Sequence, residues 1–185
     1  NKNAPLLYNL AEVQNDCSKY FKISPDETLR IVQELYEKKM TTYPRTDARV
    51  LSTAVTKEIH KNIGGLRSYA LATPFAKEVL EQGTYKNIAK TRYVNDKQIT
   101  DHYAIIPTGQ GLNNLAGLAP TAAKVYEVIV RRFLSIFYPP AVYQKFSLTV
   151  KVKEENFFAS FKVLVQEGYL KVANFSFKKE NTAPK

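Results

Sequence analysis

The spacing of apolar residues predicts helices over most of the first half of the chain. Apolar positions recur at helical intervals over residues 5–21 and again over residues 25–39. Ser24 and Pro25 form a helix-start signal, with the serine as cap and the proline in the first turn. The apolar positions that predict the second helix include Tyr36. Two short helices joined by a tight turn resemble a helix-turn-helix pair of the kind found in winged-helix proteins.

Further helices follow, separated by a long irregular stretch. The periodicity predicts them over residues 53–63, 75–81 and 120–136. Ser52 supplies a cap for the first, and Gly83 ends the second. Residues 84–117 show no clear period. Because a loop of this length in a compact domain is usually functional, this stretch is a candidate for part of a site.

The last part of the chain alternates between apolar and polar residues. The alternation covers residues 146–152 and 159–165, with a turn predicted at residues 154–156. This pattern is typical of a β-hairpin from a half-buried antiparallel sheet. We therefore predict an α+β fold, organised as a helical domain over residues 1–142, a partial antiparallel β domain over residues 143–177 and a disordered polar tail over residues 178–185.

Composition narrows the class of protein. The chain has 185 residues, of which 44% are hydrophobic and 12% aromatic, so it can bury a core. The apolar runs are shorter than a bilayer requires, and no secretory signal opens the chain. A single cysteine, Cys17, rules out an internal disulfide framework, and its helical spacing predicts a core position. We expect a cytoplasmic protein, and we take the start at Asn1 to indicate a fragment.

The charge balance favours a polyanionic partner. Lys and Arg number 27 against 17 acidic residues, which gives a formal net charge of +10. Such an excess suits DNA, RNA or an anionic membrane, and charge alone does not choose among them.

The segment Thr42-Tyr43-Pro44-Arg45-Thr46-Asp47 offers the clearest chemistry. The phenol of Tyr43 can attack phosphorus if a neighbour favours its ionised form. In an extended segment Arg45 points to the same side as Tyr43, so its guanidinium can bind the phosphate under attack. Asp47 can orient Arg45 or cap the segment that follows. The alternative is that Tyr43 is one of many core or surface tyrosines.

Of the two histidines, His102 is a candidate for the site and His60 is not. His102 follows Asp101 in the irregular stretch, where it can donate to a phosphate oxygen, although it can also simply order the loop. His60 falls within a predicted helix and is expected to be structural or solvated. Two distant histidines without a cysteine or carboxylate cluster do not predict a zinc site, and we assign no metal ligand.

These motifs resemble those of the type IA DNA topoisomerases. Tyr43 to Asp47 is similar to the active-site signature of that family, and residues 95–108 are similar to a second signature in its bacterial topoisomerase III form. Residues 5–10 and 130–141 match further segments in the same order. The resemblance covers residues 5–172.

The resemblance implies site roles. Tyr43 would form a 5′-phosphotyrosyl bond with one DNA strand, Arg45 would bind the scissile phosphate, and His102 would contact the same phosphate. It also implies DNA contacts for Arg45, His102, Thr46 and Asp47. Histidine is frequent in the family at the position of Tyr103, so this residue departs from the pattern and receives no catalytic role.

The resemblance also implies partners outside the chain. Members of the family hold Mg²⁺ in an acidic Toprim domain, and no Asp-x-Asp cluster occurs here. We therefore expect a monomer that acts on single-stranded DNA only together with that domain, without a membrane, and that is inactive as this chain alone.

Other functions remain open on the residues themselves. The main alternative is a non-catalytic winged-helix-like DNA-binding module, in which Tyr43 is a wing or core residue. A tyrosine nuclease of the replication-initiator type would need a His-x-His pair, which is absent from the sequence. In tyrosine recombinases the nucleophile lies near the C-terminus, whereas Tyr43 precedes His102.

Overall fold

The computed structural model describes residues 1–152 and 155–176. It is an α+β structure, as predicted, in which helices form the body and two antiparallel strands form a hairpin. The α-helices and strands are α1 Leu10–Phe21, α2 Pro25–Glu37, α3 Thr53–Thr56, α4 Ile59–Gly65, α5 Thr73–Gln82, α6 Pro120–Ser135, β1 Val142–Val152, β2 Glu155–Gln166 and α7 Leu170–Ala173. Short 3₁₀ helices cover Leu66–Ser68, Thr84–Lys90, Asp96–Gln98 and Leu112–Gly117.

The first helix begins later than its periodicity predicts. Asn9 caps α1 by accepting a hydrogen bond from the backbone of Glu12 at 2.8 Å. The preceding residues are extended, because Tyr8 accepts a main-chain hydrogen bond from Ile105 at 2.8 Å. Pairing with a distant segment therefore overrides the helical spacing of residues 5–8.

The next two helix predictions differ in outcome. Ser24 caps α2 as predicted, accepting from the backbone of Glu27 at 3.1 Å, and the helix ends at Glu37 rather than near Lys39. The helix predicted over residues 53–63 is divided into α3 and α4. The Thr56 hydroxyl donates to the carbonyl of Thr53 at 2.6 Å, which offers that carbonyl a partner other than the helix.

A single hydrophobic core joins the helices. Its largest fully buried side chains include Tyr8, Tyr126, Phe133, Ile31, Leu35 and Ile105. Cys17 lies in this core, as predicted, and burial raises the pKa of its thiol to about 12. The predicted irregular stretch contributes too, since Ala104, Ile105 and Ile106 are buried in the same core. No helix within residues 1–152 and 155–176 combines the length and apolar character of a membrane span.

The hairpin pairs in a regular antiparallel register, with Phe146 opposite Phe161. Glu155 and Asn156, predicted as part of the turn, belong to β2; Glu154 lies outside the described residues, as does the predicted tail, 178–185. The prediction of a half-buried sheet is wrong for Val163 and Val165, which are 42% and 56% exposed. The alternation of apolar and polar residues predicted the strand correctly, but it did not predict whether the apolar face of the strand is covered.

The chain returns to the helical body after β2. Tyr169 and Val172 are buried in the same core as α6. Arg131 of α6 donates to the carbonyl of Val172 at 2.9 Å, and Glu127 accepts from the backbone of Ser176 at 2.7 Å. Residues 169–176 thus pack with the helices, although they fall in the predicted β domain; the boundary at residue 142 and the winged-helix character stay predictions.

Candidate active site

The segment that contains Tyr43 is held against residues 102–108 by hydrogen bonds. The backbone of Thr42 donates to Ile106 at 2.9 Å, while the Thr42 hydroxyl donates to the Ala104 carbonyl at 3.2 Å and accepts from Ile106 at 3.0 Å. Farther along, Thr108 donates to the carbonyl of Met40 at 3.0 Å. These bonds fix the main chain that leads into the tyrosine.

Tyr43 and His102 are brought together across this pairing. Their ring centroids are 4.4 Å apart, with an angle of 41° between the ring planes. Tyr43 is half-buried and His102 exposed, so neither side chain belongs to the core. Both line an open pocket of about 700 Å³, which leaves the phenol accessible to a ligand.

The other predicted site residues are divided between the surface and the interior. Arg45 and Asp47 are exposed, and no carboxylate of the described residues pairs with Arg45. Thr46 is buried, with 7% of its surface exposed. Its hydroxyl donates to the His102 carbonyl at 3.2 Å and accepts from the backbone of Ala48 at 3.1 Å. Two main-chain groups of the protein therefore occupy the Thr46 hydroxyl, and the DNA contact of Thr46 stays a prediction.

Tyr36 is an aromatic neighbour of Tyr43 that the sequence analysis did not assign to the site. It is 40% exposed and lines the same pocket as Tyr43. Its ring meets that of Tyr43 edge-on, at 5.3 Å between centroids and 80° between planes. Its place near the end of α2, close before Tyr43 in the sequence, was the available signal.

Residues 107–109 are fixed against α4. The Asn62 side chain donates to the Pro107 carbonyl at 3.0 Å, and Gly109 has a φ of 79°. A Cβ built on Gly65 would lie 2.1 Å from the carbonyl oxygen of Gly109, so the two main chains are in direct contact. This contact holds the end of the second signature in place.

Of two further candidate residues, Tyr103 lies at the pocket and His60 does not. Tyr103 lines the pocket and is half-buried, and burial raises the pKa of its phenol. His60 is exposed on α4 and does not line this pocket. Among residues 1–152 and 155–176, no group of three or more His, Cys, Asp or Glu side chains is placed to hold a metal ion.

Comparisons with known proteins identify relatives over nearly the whole chain. The family model described as DNA topoisomerase matches residues 1–185. DNA topoisomerase 3 of Bacillus cereus is 35% identical over 181 residues, which is 96% of this chain and 24% of the relative. The Bacillus licheniformis enzyme of the same name is 35% identical over 189 residues, covering 98% of this chain and 25% of that protein.

A solved structure has the same fold. Full-length topoisomerase I from Thermotoga maritima aligns with all of this chain and 29% of its own, with a TM-score of 0.64 and 20% sequence identity. The chain spans about a quarter of the length of the curated relatives it matches. Because the family model matches residues 1–185 and the relatives are 35% identical, the chain belongs to the type IA DNA topoisomerase family.

Proposed function

We propose that this chain carries the nucleophile and the phosphate-binding side chains of a type IA topoisomerase, which cleaves and rejoins one DNA strand. The observation that supports this most directly is the placement of Tyr43. Its ring lies against His102 on an open pocket, in a segment whose main chain is fixed by hydrogen bonds. An accessible phenol in a rigid setting is what a nucleophile needs.

The reaction is a transesterification at phosphorus. The Tyr43 oxygen attacks a backbone phosphorus, a bond from phosphorus to the tyrosine oxygen forms, and the bond to the 3′ oxygen breaks. The phenol loses its proton, and the departing 3′ oxygen gains one. Attack of the 3′-hydroxyl on the phosphotyrosine reverses the step. One phosphoester replaces another each time, so ATP is not consumed.

Arg45 and His102 stabilise the charge that builds on the phosphate oxygens. A guanidinium can donate two parallel hydrogen bonds to a phosphate, and Arg45 is exposed with no ion-pair partner among the described residues. His102 is held beside the phenol, where its ring can donate to the same phosphate. Asp47 is also exposed and makes no ion pair with Arg45, whereas Thr46 positions His102 through its carbonyl.

The remaining parts of the enzyme would come from outside this chain. The described residues lack a donor cluster suited to Mg²⁺, so the ion would be held by a Toprim domain elsewhere in a longer protein. The chain's share of its relatives, about a quarter, agrees with this division. We therefore propose that the chain alone does not relax DNA, and that the longer protein is a cytoplasmic monomer acting on single-stranded DNA.

Plasmid relaxation by the full-length protein tests the proposal. Tyr43→Phe should abolish relaxation, because phenylalanine has no attacking oxygen. Arg45→Lys should slow it about 10²–10³-fold, the usual effect of losing one transition-state donor. Tyr85→Phe serves as a matched control, since Tyr85 does not line the pocket. Normal relaxation by Tyr43→Phe would instead support the non-catalytic winged-helix-like module.

A further inference from the structure

The pocket beside Tyr43 has residues that the cleavage step does not use. Its volume of about 700 Å³ falls within the range of small-molecule sites, about 300–1,000 Å³. Besides Tyr43 and His102 it is lined by Tyr36 and Lys39, which lie near the end of α2 and just after it. Building on the proposed function, we propose that this pocket holds one nucleotide of the DNA strand, with its base on Tyr36 and a phosphate on Lys39.

Tyr36 has the properties of a stacking platform. Its ring is 40% exposed, although a large aromatic side chain is usually buried where the fold allows it. Its edge-on contact with Tyr43, 5.3 Å between centroids, holds the ring next to the proposed nucleophile. Exposed aromatic rings bind bases of any sequence, and each such contact changes affinity by about 5- to 150-fold.

Lys39 adopts a main-chain conformation that a lysine would not choose on its own. Its φ is 63°, in the left-handed region that favours glycine. The conformation is fixed by its neighbours, since Lys39 donates to the Tyr36 carbonyl at 2.9 Å and accepts from the Thr108 hydroxyl at 2.6 Å. A side chain kept at a strained position on a site is a candidate for a functional role.

The charge of Lys39 is available to a ligand. Its side chain is exposed, and no carboxylate of the described residues pairs with it, whereas the adjacent Lys38 is paired with Glu34 at 2.9 Å. Glu37 also lines the pocket, and its carboxylate disfavours a phosphate on its own side. Lys39 is therefore the cation of this pocket that can hold a phosphate.

The salt dependence of DNA binding tests the phosphate contact of Lys39 separately from the base contact of Tyr36. The full-length protein with Tyr43→Phe is titrated with a single-stranded oligonucleotide at several salt concentrations. Lys39→Gly should weaken binding and reduce the slope of log affinity against log salt by about 0.7, the value for one phosphate contact. Lys39→Arg should restore the slope. Lys22→Gly is the matched control, because Lys22 also has a positive φ, 55°, but does not line the pocket.

An abasic scan tests the base contact. Tyr36→Leu should weaken binding about 5- to 150-fold without changing the salt slope, and Tyr36→Phe should bind normally. An oligonucleotide that lacks the stacked base should bind with equal affinity to the Tyr36→Leu protein and to the protein that retains Tyr36. Loss of any other base should leave the difference in affinity between these two proteins unchanged. Tyr85→Leu should behave as the unsubstituted protein at every position.

The proposal is overturned if Lys39→Gly leaves the salt slope unchanged, or if Tyr36→Leu loses the same affinity at every abasic position. The adduct is assayed separately, in the full-length protein that retains Tyr43. An adduct there, together with either of those results, would leave the proposed function standing. Absence of any adduct, with the slope and abasic effects as expected, would contradict the proposed function and retain the nucleotide subsite.

Discussion

The Thr46 hydroxyl donates a hydrogen bond to the main-chain carbonyl of His102 at 3.2 Å. It joins the two segments that carry the candidate catalytic side chains, which are far apart in the sequence. The same oxygen accepts from the backbone of Ala48 at 3.1 Å, so one buried side chain satisfies two main-chain groups. We propose that the position of Tyr43 relative to His102 depends on this link.

Thr46→Val should test the link, because valine keeps the shape of threonine and removes its hydroxyl. The carbonyl of His102 and the backbone amide of Ala48 would lose a partner, at a cost of about 1–3 kcal/mol in the free energy of unfolding. Urea denaturation measures this cost. Thr46→Ser retains the hydroxyl and should lose less than about 1 kcal/mol. Equal stability of the valine and threonine proteins would contradict the proposed link.

Gly109→Ala should destabilise the protein by at least about 2 kcal/mol. The added methyl would lie 2.6 Å from the carbonyl oxygen of Asn62, and the φ of 79° is unfavourable for alanine. Gly117→Ala is the control: a Cβ there has no atom within 4 Å, and the change should stay within about 0.5 kcal/mol. Thermal unfolding of both variants checks the contact, and similar losses for the two would refute it.

Tyr126→Phe should leave stability unchanged or raise it by about 1 kcal/mol. The Tyr126 hydroxyl is buried without a hydrogen-bond partner among the described residues, so its removal costs no bond. Tyr8→Phe should behave oppositely, because the Tyr8 hydroxyl donates to Asp16 and accepts from Arg132 at 3.3 Å. Urea denaturation at neutral pH compares them, and a large loss for Tyr126→Phe would show that the hydroxyl has a partner.

The free energy of unfolding of Tyr126→Phe, relative to that of the unsubstituted protein, should increase at alkaline pH. Burial raises the pKa of Tyr126, so the folded state retains this proton when the unfolded state has lost it. The stability linked to that proton is full below about pH 10 and falls as the pH rises above it. Phenylalanine has no such proton. Urea denaturation at about pH 9 and about pH 11 measures the difference in the free energy of unfolding between the two proteins. A difference that stays constant between these pH values would contradict the prediction.

Local signals predicted part of the fold correctly. Ser24 marked the start of α2, Gly83 the end of α5 and Pro120 the start of α6, because each acts locally. Ser24 acts through its side-chain oxygen, and the glycine and the proline act through their backbone geometry. The start of α1 was missed, since Tyr8 pairs with Ile105 and that pairing leaves no periodic trace. The exposure of Val165 was missed for a related reason: alternation records a strand but not what packs on it.

The candidate site shows the same division. The sequence indicated Tyr43, Arg45 and His102 by their chemistry, but the distance between the Tyr43 and His102 rings depends on main-chain pairing of distant segments. Thr46 was expected to meet DNA, although its hydroxyl is taken up by main-chain groups. The place of Tyr36 at the site was not predicted, because a helical period does not separate a core position from the edge of a pocket.

Mapping the covalent adduct tests the central claim most directly. The full-length protein is denatured during cleavage of a single-stranded oligonucleotide, digested with nuclease and trypsin, and analysed by mass spectrometry. We predict that the nucleotide is attached to the peptide of residues 40–45, in which Tyr43 is the single tyrosine. Attachment instead to the peptide of residues 31–38, which contains Tyr36, or to any other peptide would contradict the assignment of Tyr43 as nucleophile.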